Sequence, residues 1–323
     1  MDYVVTITAK ETAELLPLER PQSSVGPDEV AGKTLVTLIS AGTELASAYL
    51  GENFPATPGY AAVFQVEEVG ENVQAIQPGD LAFCMGNHRS YYRVKADQLL
   101  LVPEGLPPEV AVFARMMGVS MTTLTTTAAR PPANVLVMGL GLVGHLAAKN
   151  FLACGYNVYA CDPVESRRRI ASETGIPNIL SEAPLEDPKL NGKFSLVIEC
   201  SGHEQALLDG CNVIRKKGEV VCIATPWKRS TELAAHELHH AIFHKYAVVR
   251  SGWEWELPMG LTDFTENSVW SNIQGALNWL STDRVNVESI YDLFSPVQAQ
   301  QAYQKLLHKQ TDRLAAVFDW RTI

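Results

Sequence analysis

Short apolar segments separated by turn residues fill roughly the first third of the chain. The segments are rich in Val, Tyr, Phe and Thr, and turn signals such as Gly32, Pro58-Gly59 and Pro78-Gly79-Asp80 separate them. Segments of this composition predict short strands, and close spacing with Pro and Gly between them is typical of an antiparallel, barrel-like domain. The predicted strands are residues 3–8, 33–39, 62–69, 80–84 and 91–94.

From about residue 119 the hydrophobic pattern changes. Continuous apolar runs now alternate with helical stretches, and the runs lack the polar alternation of a half-exposed strand. Such runs indicate strands buried on both faces, as in a parallel sheet covered by helices. The pattern therefore predicts a doubly wound α/β domain, with strands at residues 135–138, 157–161, 196–199 and 219–224 and helices at residues 145–154, 166–174 and 204–214.

The last part of the chain, after about residue 268, contains two helical stretches (273–280 and 296–307) and a strand-like segment (315–320). This tail is too short to fold alone, so we expect it to dock on the first domain. A length of 323 residues also exceeds one ordinary domain. We predict a first domain of residues 1–118 and 268–323, interrupted by a dinucleotide-binding domain of residues 119–267.

Composition and charge narrow the function classes. The formal charge of −10 disfavours nucleic-acid binding, and no apolar run is long enough to predict a membrane span. The N-terminal segment lacks the basic-then-apolar start of a signal peptide, so we expect a cytoplasmic protein without membrane partners. The six cysteines are scattered without a CxxC pair, which disfavours both a disulfide framework and a four-cysteine zinc site.

A glycine-rich loop, Gly-Leu-Gly-Leu-Val-Gly at residues 139–144, follows the first strand of the α/β domain. Gly139 allows a tight turn, Gly141 lets the backbone approach a pyrophosphate, and Gly144 lets the helix pack close to the strand. Leu142 and Val143 lie in the helix N-terminus, where free N–H groups attract phosphates. The motif predicts a dinucleotide site.

Asp162 ends the second strand of this domain, where an acid would bond the adenosine ribose. Its carboxylate would repel a 2′-phosphate, so NAD(H) is favoured over NADP(H). Arg167, with Arg168 and Arg169, could instead hold that phosphate, or these three residues could form a solvated helix face.

Several local segments accompany this order of domains: Ile-Ser-Ala-Gly-Thr-Glu at 39–44, Pro-Gly-Tyr-Ala at 58–61, the segments 66–70 and 73–80, and the fourth-strand segment 196–202. Together, the domain order and these segments resemble the medium-chain dehydrogenase/reductase superfamily. The resemblance implies an α/β fold: a Rossmann doubly wound parallel sheet plus a GroES-like β-barrel catalytic domain. It also implies a homodimer acting on a small-molecule substrate.

The sequence departs from the zinc-binding branch of this superfamily at every expected ligand of the catalytic zinc. Alanine and methionine thioether groups do not replace thiolate or imidazole at such a site, and the four-cysteine lobe expected around residues 86–95 is missing. We therefore expect no zinc. The resemblance is closest to a zinc-free, alcohol-dehydrogenase-like group that includes bacteriochlorophyllide hydroxyethyl dehydrogenases. The residues at the ligand positions are Ala41 (or Ser40), Tyr60, Ala61, Met116 and Met117.

Four residues are candidates for the catalytic chemistry, two of them by their place in the superfamily pattern. Thr43 occupies the position of the superfamily's proton-relay hydroxyl, and Tyr60 occupies a position that lies next to the substrate in the superfamily. His88 lies in a loop that should face the cleft and is the natural titrating group, with Glu44 as an alternative base. Structural readings remain open: Thr43 could satisfy its own turn, Tyr60 could fill the vacant metal space, and His88 could be a surface histidine.

Further residues are assigned by their places at the strand ends. The superfamily pattern implies that Cys200, Ser201, Gly202, Ala224 and Thr225 lie near the nicotinamide half of the cofactor. Met117 and Trp227 are candidate substrate contacts, although Trp227 could equally pack against another subunit. His236, His240 and His244 would share one helix face, which favours a structural or interface role over a metal site.

These observations predict a zinc-independent, NAD(H)-dependent oxidoreductase that interconverts a secondary alcohol and a ketone between its domains. One alternative is an NADPH-dependent quinone or enoyl reductase that reduces a C=C bond. The other is a protein that retains the nucleotide without redox chemistry.

Overall fold

The structure is a computed structural model that describes residues 1–20 and 23–323. It divides into two compact units. The first unit comprises Met1–Arg115 and Leu277–Ile323, and the second comprises Met116–Ala276.

The strands are numbered in chain order. They are β1 (Asp2–Ala9), β2 (Thr12–Leu18), β3 (Glu29–Leu38), β4 (Ala62–Val69), β5 (Leu81–Cys84), β6 (Tyr91–Lys95), β7 (Leu99–Leu101), β8 (Asn134–Met138), β9 (Asn157–Cys161), β10 (Asn178–Leu180), β11 (Phe194–Glu199), β12 (Ile214–Cys222), β13 (Val248–Ser251), β14 (Tyr291–Phe294) and β15 (Ala315–Asp319).

The α-helices follow the same order. They are α1 (Ala41–Glu44), α2 (Pro108–Ala111), α3 (Ala114–Thr126), α4 (Leu142–Ala153), α5 (Glu165–Glu173), α6 (Glu204–Val213), α7 (Ala235–Lys245), α8 (Val269–Ser281) and α9 (Ala299–Leu307).

The sheets of the first unit are built mainly from antiparallel neighbours, as the turn-rich sequence predicts. β1 pairs with β2, and the larger sheet runs β14-β15-β3-β4-β5-β7, with β6 also paired to β3. β14 and β15 are parallel, which differs from the antiparallel expectation. The reason is the crossover between them, because α9 carries the chain back to the same end of the sheet.

The C-terminal strand docks on the first unit, and this expectation is confirmed. β15 pairs antiparallel with β3, and Val317 lies opposite Leu38. The buried aromatic side chains of Phe318 and Trp320 then join a core that includes Tyr49 and Tyr303. The tail therefore completes this unit.

The second unit is a doubly wound α/β domain, which confirms the predicted fold class. Its sheet runs β10-β9-β8-β11-β12-β13, and every neighbouring pair is parallel. The central strands β8 and β11 are mostly apolar and mostly buried because helices cover both faces of the sheet.

Several elements of this unit were not predicted or begin elsewhere. Helix α4 begins at Leu142 rather than at residue 145, so it starts inside the glycine motif. The short strands β10 and β13 and the Met- and Thr-rich helix α3 were missed. Across the residues that the structure describes, no helix has the length and apolar character needed to cross a bilayer.

Candidate functional site

The glycine loop of the second unit joins β8 to α4 with almost no space for side chains. Gly139 has a φ of 92°, and its N–H donates to the carbonyl of Cys161 at 2.8 Å. A Cβ at Gly144 would lie 1.8 Å from the carbonyl oxygen of Gly139. Glycine is therefore required at both positions by the approach of the helix to the strand.

Gly141, in contrast, faces open space. Apart from its chain neighbours and the backbone of its own helix, no heavy atom of the described residues lies within 4 Å of where a Cβ of residue 141 would be. Gly141 is the N-cap of α4 and offers no capping side chain, so the N–H groups of Leu142 and Val143 begin the helix without a side-chain acceptor from it. This combination of free donors, helix dipole and open backbone fits a pyrophosphate.

Asp162 is brought next to this loop by the end of β9, and its side chain is buried. One carboxylate oxygen, Oδ2, accepts from the N–H of Leu140 at 2.7 Å, and Oδ1 accepts from the N–H of Val164 at 2.8 Å. Nη1 of Arg167 lies 3.3 Å from Oδ2. The Asp162 carboxylate therefore fixes the conformation of the glycine loop, and Arg167 is the arginine whose guanidinium faces this carboxylate.

The other two arginines of α5 point elsewhere. Nη1 of Arg168 donates to the carbonyl oxygens of Asp162 and Pro163, at 2.7 and 2.8 Å. Arg169 forms an exposed pair with Glu173 at 3.9 Å. Arg169 thus lies on the outer helix face, whereas Arg168 anchors the start of the helix.

The segment after β11 packs against the glycine loop. A Cβ at Gly139 would meet the backbone nitrogen of Ser201 at 2.9 Å, and Cys200 lies beside Gly144. Gly202 has a φ of 67°, and a Cβ there would lie 2.8 Å from the carbonyl oxygen of Thr225. The predicted cofactor segments at 139–144, 200–202 and 224–225 therefore meet at the carboxyl edge of the sheet, where open α/β sheets bind ligands.

Glu199 holds these segments together and was not predicted as a site residue. Its Oε1 accepts from the N–H of Ser201 at 2.6 Å and from the N–H of Gly202 at 3.0 Å, and it also accepts from the Ser201 hydroxyl. Its backbone carbonyl accepts from Ala224 at 3.2 Å. Burial raises the pKa of Glu199, while the hydrogen bonds from Ser201 and Gly202 oppose that rise.

The two predicted substrate contacts differ in exposure. Trp227 follows β12 and is 57% exposed, whereas Met117 in α3 is fully buried. The carbonyl of Met117 accepts from the hydroxyl of Ser120 and the amide of Asn150. A substrate could reach the Met117 side chain only after its neighbours moved, so both contacts stay predictions.

His88 is fully buried in the first unit, so the expectation that it faces an open cleft is wrong. Its Nδ1 lies 2.8 Å from Oγ1 of Thr37, and its Nε2 lies 2.9 Å from Oε2 of Glu44. The surrounding polar sequence suggested an exposed loop. The loop is instead drawn inward because Gly59, at a φ of 101°, lets the two backbones approach, and the N–H of His88 donates to the carbonyl of Pro58.

Glu44 is the centre of this buried network. Its Oε2 also accepts from the hydroxyl of Tyr303 at 2.6 Å, and its Oε1 accepts from the N–H of Ser40 at 2.7 Å. The carboxylate is thus satisfied on all sides and fixes the backbone at Ser40. His88 and Glu44 therefore act in this structure as supports rather than as accessible acid–base groups.

Tyr60 lies on the accessible side of Ser40. Its hydroxyl donates to Oγ of Ser40 at 2.5 Å, and the guanidinium carbon of Arg115 lies 4.7 Å from its ring centroid. Burial raises the pKa of the Tyr60 phenol, whereas the Ser40 hydrogen bond, the Arg115 charge and the Thr43 hydroxyl lower it. Tyr60 is half-buried and Thr43 is exposed, so both can meet a ligand. Sequence reasoning missed Arg115.

The residues present do not fit a catalytic zinc. The donor set around Tyr60 consists of hydroxyl groups, and the buried cation of Arg115 would repel a second positive charge. The nearby imidazole of His88 uses both nitrogens within the protein. In residues 1–20 and 23–323, no group of three or more His, Cys, Asp or Glu side chains could hold a metal.

The histidines of α7 do share one helix face, as their spacing predicts. The ring centroids of His236 and His240 are 6.3 Å apart, and those of His240 and His244 are 4.0 Å apart. All three are exposed.

Comparisons with known proteins agree with this architecture. A family model described as zinc-binding dehydrogenase matches residues 139–254. An alcohol dehydrogenase of Geobacillus stearothermophilus is 24% identical over 70% of this chain and 78% of its own, and an L-threonine 3-dehydrogenase of Caldanaerobacter subterraneus is 24% identical over 70% and 76%. The crystal structure of galactitol-1-phosphate dehydrogenase from Escherichia coli superposes with a TM-score of 0.82 at 17% identity, covering 98% of this chain and 99% of that one.

Proposed function

Because the chain belongs to the medium-chain dehydrogenase/reductase superfamily, we propose that it is a zinc-independent, NAD(H)-dependent oxidoreductase that interconverts a secondary alcohol and a ketone. The observation that carries the proposal is the glycine loop, whose backbone fits a pyrophosphate beside a buried carboxylate. The related alcohol and threonine dehydrogenases support chemistry at a CH–OH group.

Residues of the second unit would bind the cofactor. The backbone of Gly141, Leu142 and Val143 would hold the pyrophosphate, and Asp162 would accept hydrogen bonds from the adenosine ribose. The Ser201–Gly202 turn and Thr225 would border the nicotinamide half. When bound, the cofactor supplies or accepts the hydride.

Residues of the first unit would donate a proton to the substrate oxygen in reduction and accept it in oxidation. A ketone oxygen gains negative charge as its carbon is reduced, and a hydrogen-bond donor must meet that oxygen. Tyr60 is the half-buried hydroxyl suited to this role, and the exposed Thr43 hydroxyl lowers its pKa. His88 would act indirectly, because it holds Glu44, which in turn holds the Ser40 backbone.

Cofactor choice follows from the charge at Asp162. A buried carboxylate at the ribose position favours NAD(H), and Arg167 at 3.3 Å is the feature that favours the alternative, an NADPH-dependent C=C reductase. We expect the wild type to bind NADH more tightly than NADPH by about tenfold or more, since one repelled or unpaired charge costs at least about 1.4 kcal/mol. Fluorescence titration measures both affinities.

The matched variant is Asp162→Asn, which removes the charge but keeps an oxygen acceptor for the Leu140 N–H. Asp162→Asn should reduce the preference for NADH over NADPH, while Arg167→Gln should leave the affinity for NADH nearly unchanged. Tight NADPH and weak NADH binding by the wild type would favour the C=C reductase instead.

The reaction is tested with a panel of secondary alcohols and ketones, following nicotinamide absorbance. Turnover of at least one pair is expected after treatment with a chelator, and metal analysis should find no stoichiometric zinc. One tightly bound zinc per chain would contradict the proposal. Cofactor binding without turnover of any alcohol, ketone or enone would favour a non-redox role.

The proposal includes a homodimer formed through the second unit. β13 lies at the edge of the parallel sheet, its first residue Val248 is exposed, and so are Phe243 and Tyr246 just before the strand. An exposed edge strand flanked by large apolar side chains is a surface that a second copy can cover. Light scattering should give a dimer, and Val248→Lys should shift it toward monomer.

A further inference from the structure

Arg115 places a buried positive charge against the phenol ring of Tyr60. Its side chain is 2% exposed, and its guanidinium carbon lies 4.7 Å from the ring centroid. A guanidinium remains charged throughout the physiological pH range. A cation over a tyrosine ring stabilises the ring electrostatically, and it stabilises a phenolate more strongly because the negative charge spreads into the ring.

Two hydroxyl groups complete the surroundings of the phenol. Oγ of Ser40 is 2.5 Å from the Tyr60 oxygen, and the Thr43 hydroxyl lowers the pKa of the phenol. Ser40 is fixed from behind, because its N–H donates to Glu44 and Glu44 is held by His88 and Tyr303. The phenol therefore has a cation, a fixed hydroxyl and an exposed hydroxyl around it, and the Glu44 carboxylate behind Ser40 is the charge that opposes its ionisation.

We infer that Arg115, Tyr60 and Ser40 form a metal-free proton-transfer centre, in which the guanidinium supplies the positive charge that a catalytic metal supplies elsewhere. The inference rests on the proposed function and assigns the acid that it requires. In the direction of reduction, a bound nicotinamide would supply a hydride to the carbonyl carbon, the C=O π pair would move to oxygen, and that oxygen would then need a proton. The Tyr60 O–H bond breaks, the substrate O–H bond forms, and the phenolate electron pair stays on Tyr60.

The phenolate is then stabilised until it is reprotonated. Ser40 turns its hydroxyl to donate to the phenolate oxygen, and Arg115 offsets the charge. The proton returns from water through Thr43, which is exposed. In the oxidation direction the same groups act in reverse, with Tyr60 accepting the alcohol proton.

The chain offers a matched control for Arg115. The guanidinium carbon of Arg89 also lies 4.7 Å from a tyrosine ring centroid, that of Tyr92, in the same unit. Tyr92 is fully buried, and its hydroxyl donates to the backbone carbonyl of Asn87. Arg89→Gln therefore removes a guanidinium at the same distance from a tyrosine ring that is itself fully buried.

The first measurement needs neither cofactor nor substrate. The ionisation of Tyr60 is obtained from the tyrosinate absorbance of the wild type minus that of Tyr60→Phe, with circular dichroism showing that the fold persists. Arg115→Gln should raise the midpoint by about one pH unit or more, as expected for loss of an opposite charge at this distance. Arg115→Lys should raise it less, and Arg89→Gln should leave it unchanged.

The second measurement is steady-state kinetics. Arg115→Gln should lower kcat by about 100-fold, with NADH affinity unchanged, and should move the pH dependence of kcat toward higher pH. Tyr60→Phe should lower kcat at least as much, and Arg115→Lys should recover part of the activity. Arg89→Gln should retain wild-type kcat.

The failures of the two proposals are distinguishable. If the wild type binds no nicotinamide cofactor, the proposed function fails, and the ionisation measurement still tests the coupling of Arg115 to Tyr60. If the wild type turns over and Tyr60→Phe keeps full kcat, the proton-transfer centre is refuted and the dehydrogenase stands. An unchanged Tyr60 midpoint in Arg115→Gln also refutes it. If Arg115→Gln does not fold, Tyr60→Phe and Arg115→Lys decide the question.

Discussion

Replacing Gly144 with alanine should damage both stability and cofactor binding. The added Cβ would lie 1.8 Å from the Gly139 carbonyl oxygen and 3.1 Å from the Cβ of Cys200. An ordinary non-bonded contact is about 3.5 Å, so the start of α4 must move away from β8 by more than about 1 Å. Overpacking of this kind costs roughly 1–3 kcal/mol, and the better helix propensity of alanine offsets up to about 1 kcal/mol.

The expected net loss is therefore about 1–2 kcal/mol in the free energy of unfolding of the second unit. For a unit of this size that loss lowers Tm by about 2–8 °C, measurable by calorimetry. NADH affinity should fall at least tenfold, because the N–H groups of Leu142 and Val143 move with the helix.

Gly141→Ala is the matched control. Its φ of −65° suits alanine, and its Cβ points into open space, so Tm should stay within about 1 °C of the wild type. NADH affinity should nevertheless fall, because the methyl group would occupy the approach to the backbone. A Gly144→Ala protein with wild-type Tm and wild-type NADH affinity would refute this account of the loop.

Two further outcomes follow from buried groups. Burial lowers the pKa of His145 to about 3, below its ordinary 6.5, so the stability that the neutral histidine contributes is complete above pH 6.5 and is lost as pH falls toward 3. Between pH 6 and pH 4, the free energy of unfolding of the wild type should therefore fall more steeply than that of His145→Gln, by up to about 1.4 kcal/mol per pH unit. Denaturant titrations at the two pH values measure both slopes, and equal slopes would contradict the prediction. Tyr303→Phe removes the hydroxyl that donates to Glu44 and should lower the free energy of unfolding by about 1–3 kcal/mol, with NADH affinity unchanged; no loss of stability in urea titrations would show that the hydrogen bond contributes nothing.

Sequence patterns predicted the second unit well because its signals are local. A continuous apolar run such as 135–138 must be buried wherever it lies, and a glycine motif directly after it has few structural alternatives. The short edge strands β10 and β13 escaped prediction because they are only three and four residues long, and their pairing depends on the neighbouring strand.

The site in the first unit was predicted less completely because its contacts are between distant parts of the chain. His88 lies in a polar loop, yet the bend at Gly59 turns it into the core beside Glu44. Arg115 carries no motif, and its partner Tyr60 is 55 positions earlier (115 − 60). Only the folded chain brings a cation to that ring.

The interruption of the first unit by the second has a consequence for synthesis on the ribosome. The second unit, Met116–Ala276, is a continuous stretch and emerges complete before any residue of the C-terminal segment. The buried Glu44 carboxylate, however, lacks the Tyr303 hydroxyl until that segment appears, and β3 lacks β15 as a neighbour. The second unit is therefore expected to fold first, whereas the N-terminal residues can complete their own unit only after the C-terminal segment has been synthesised.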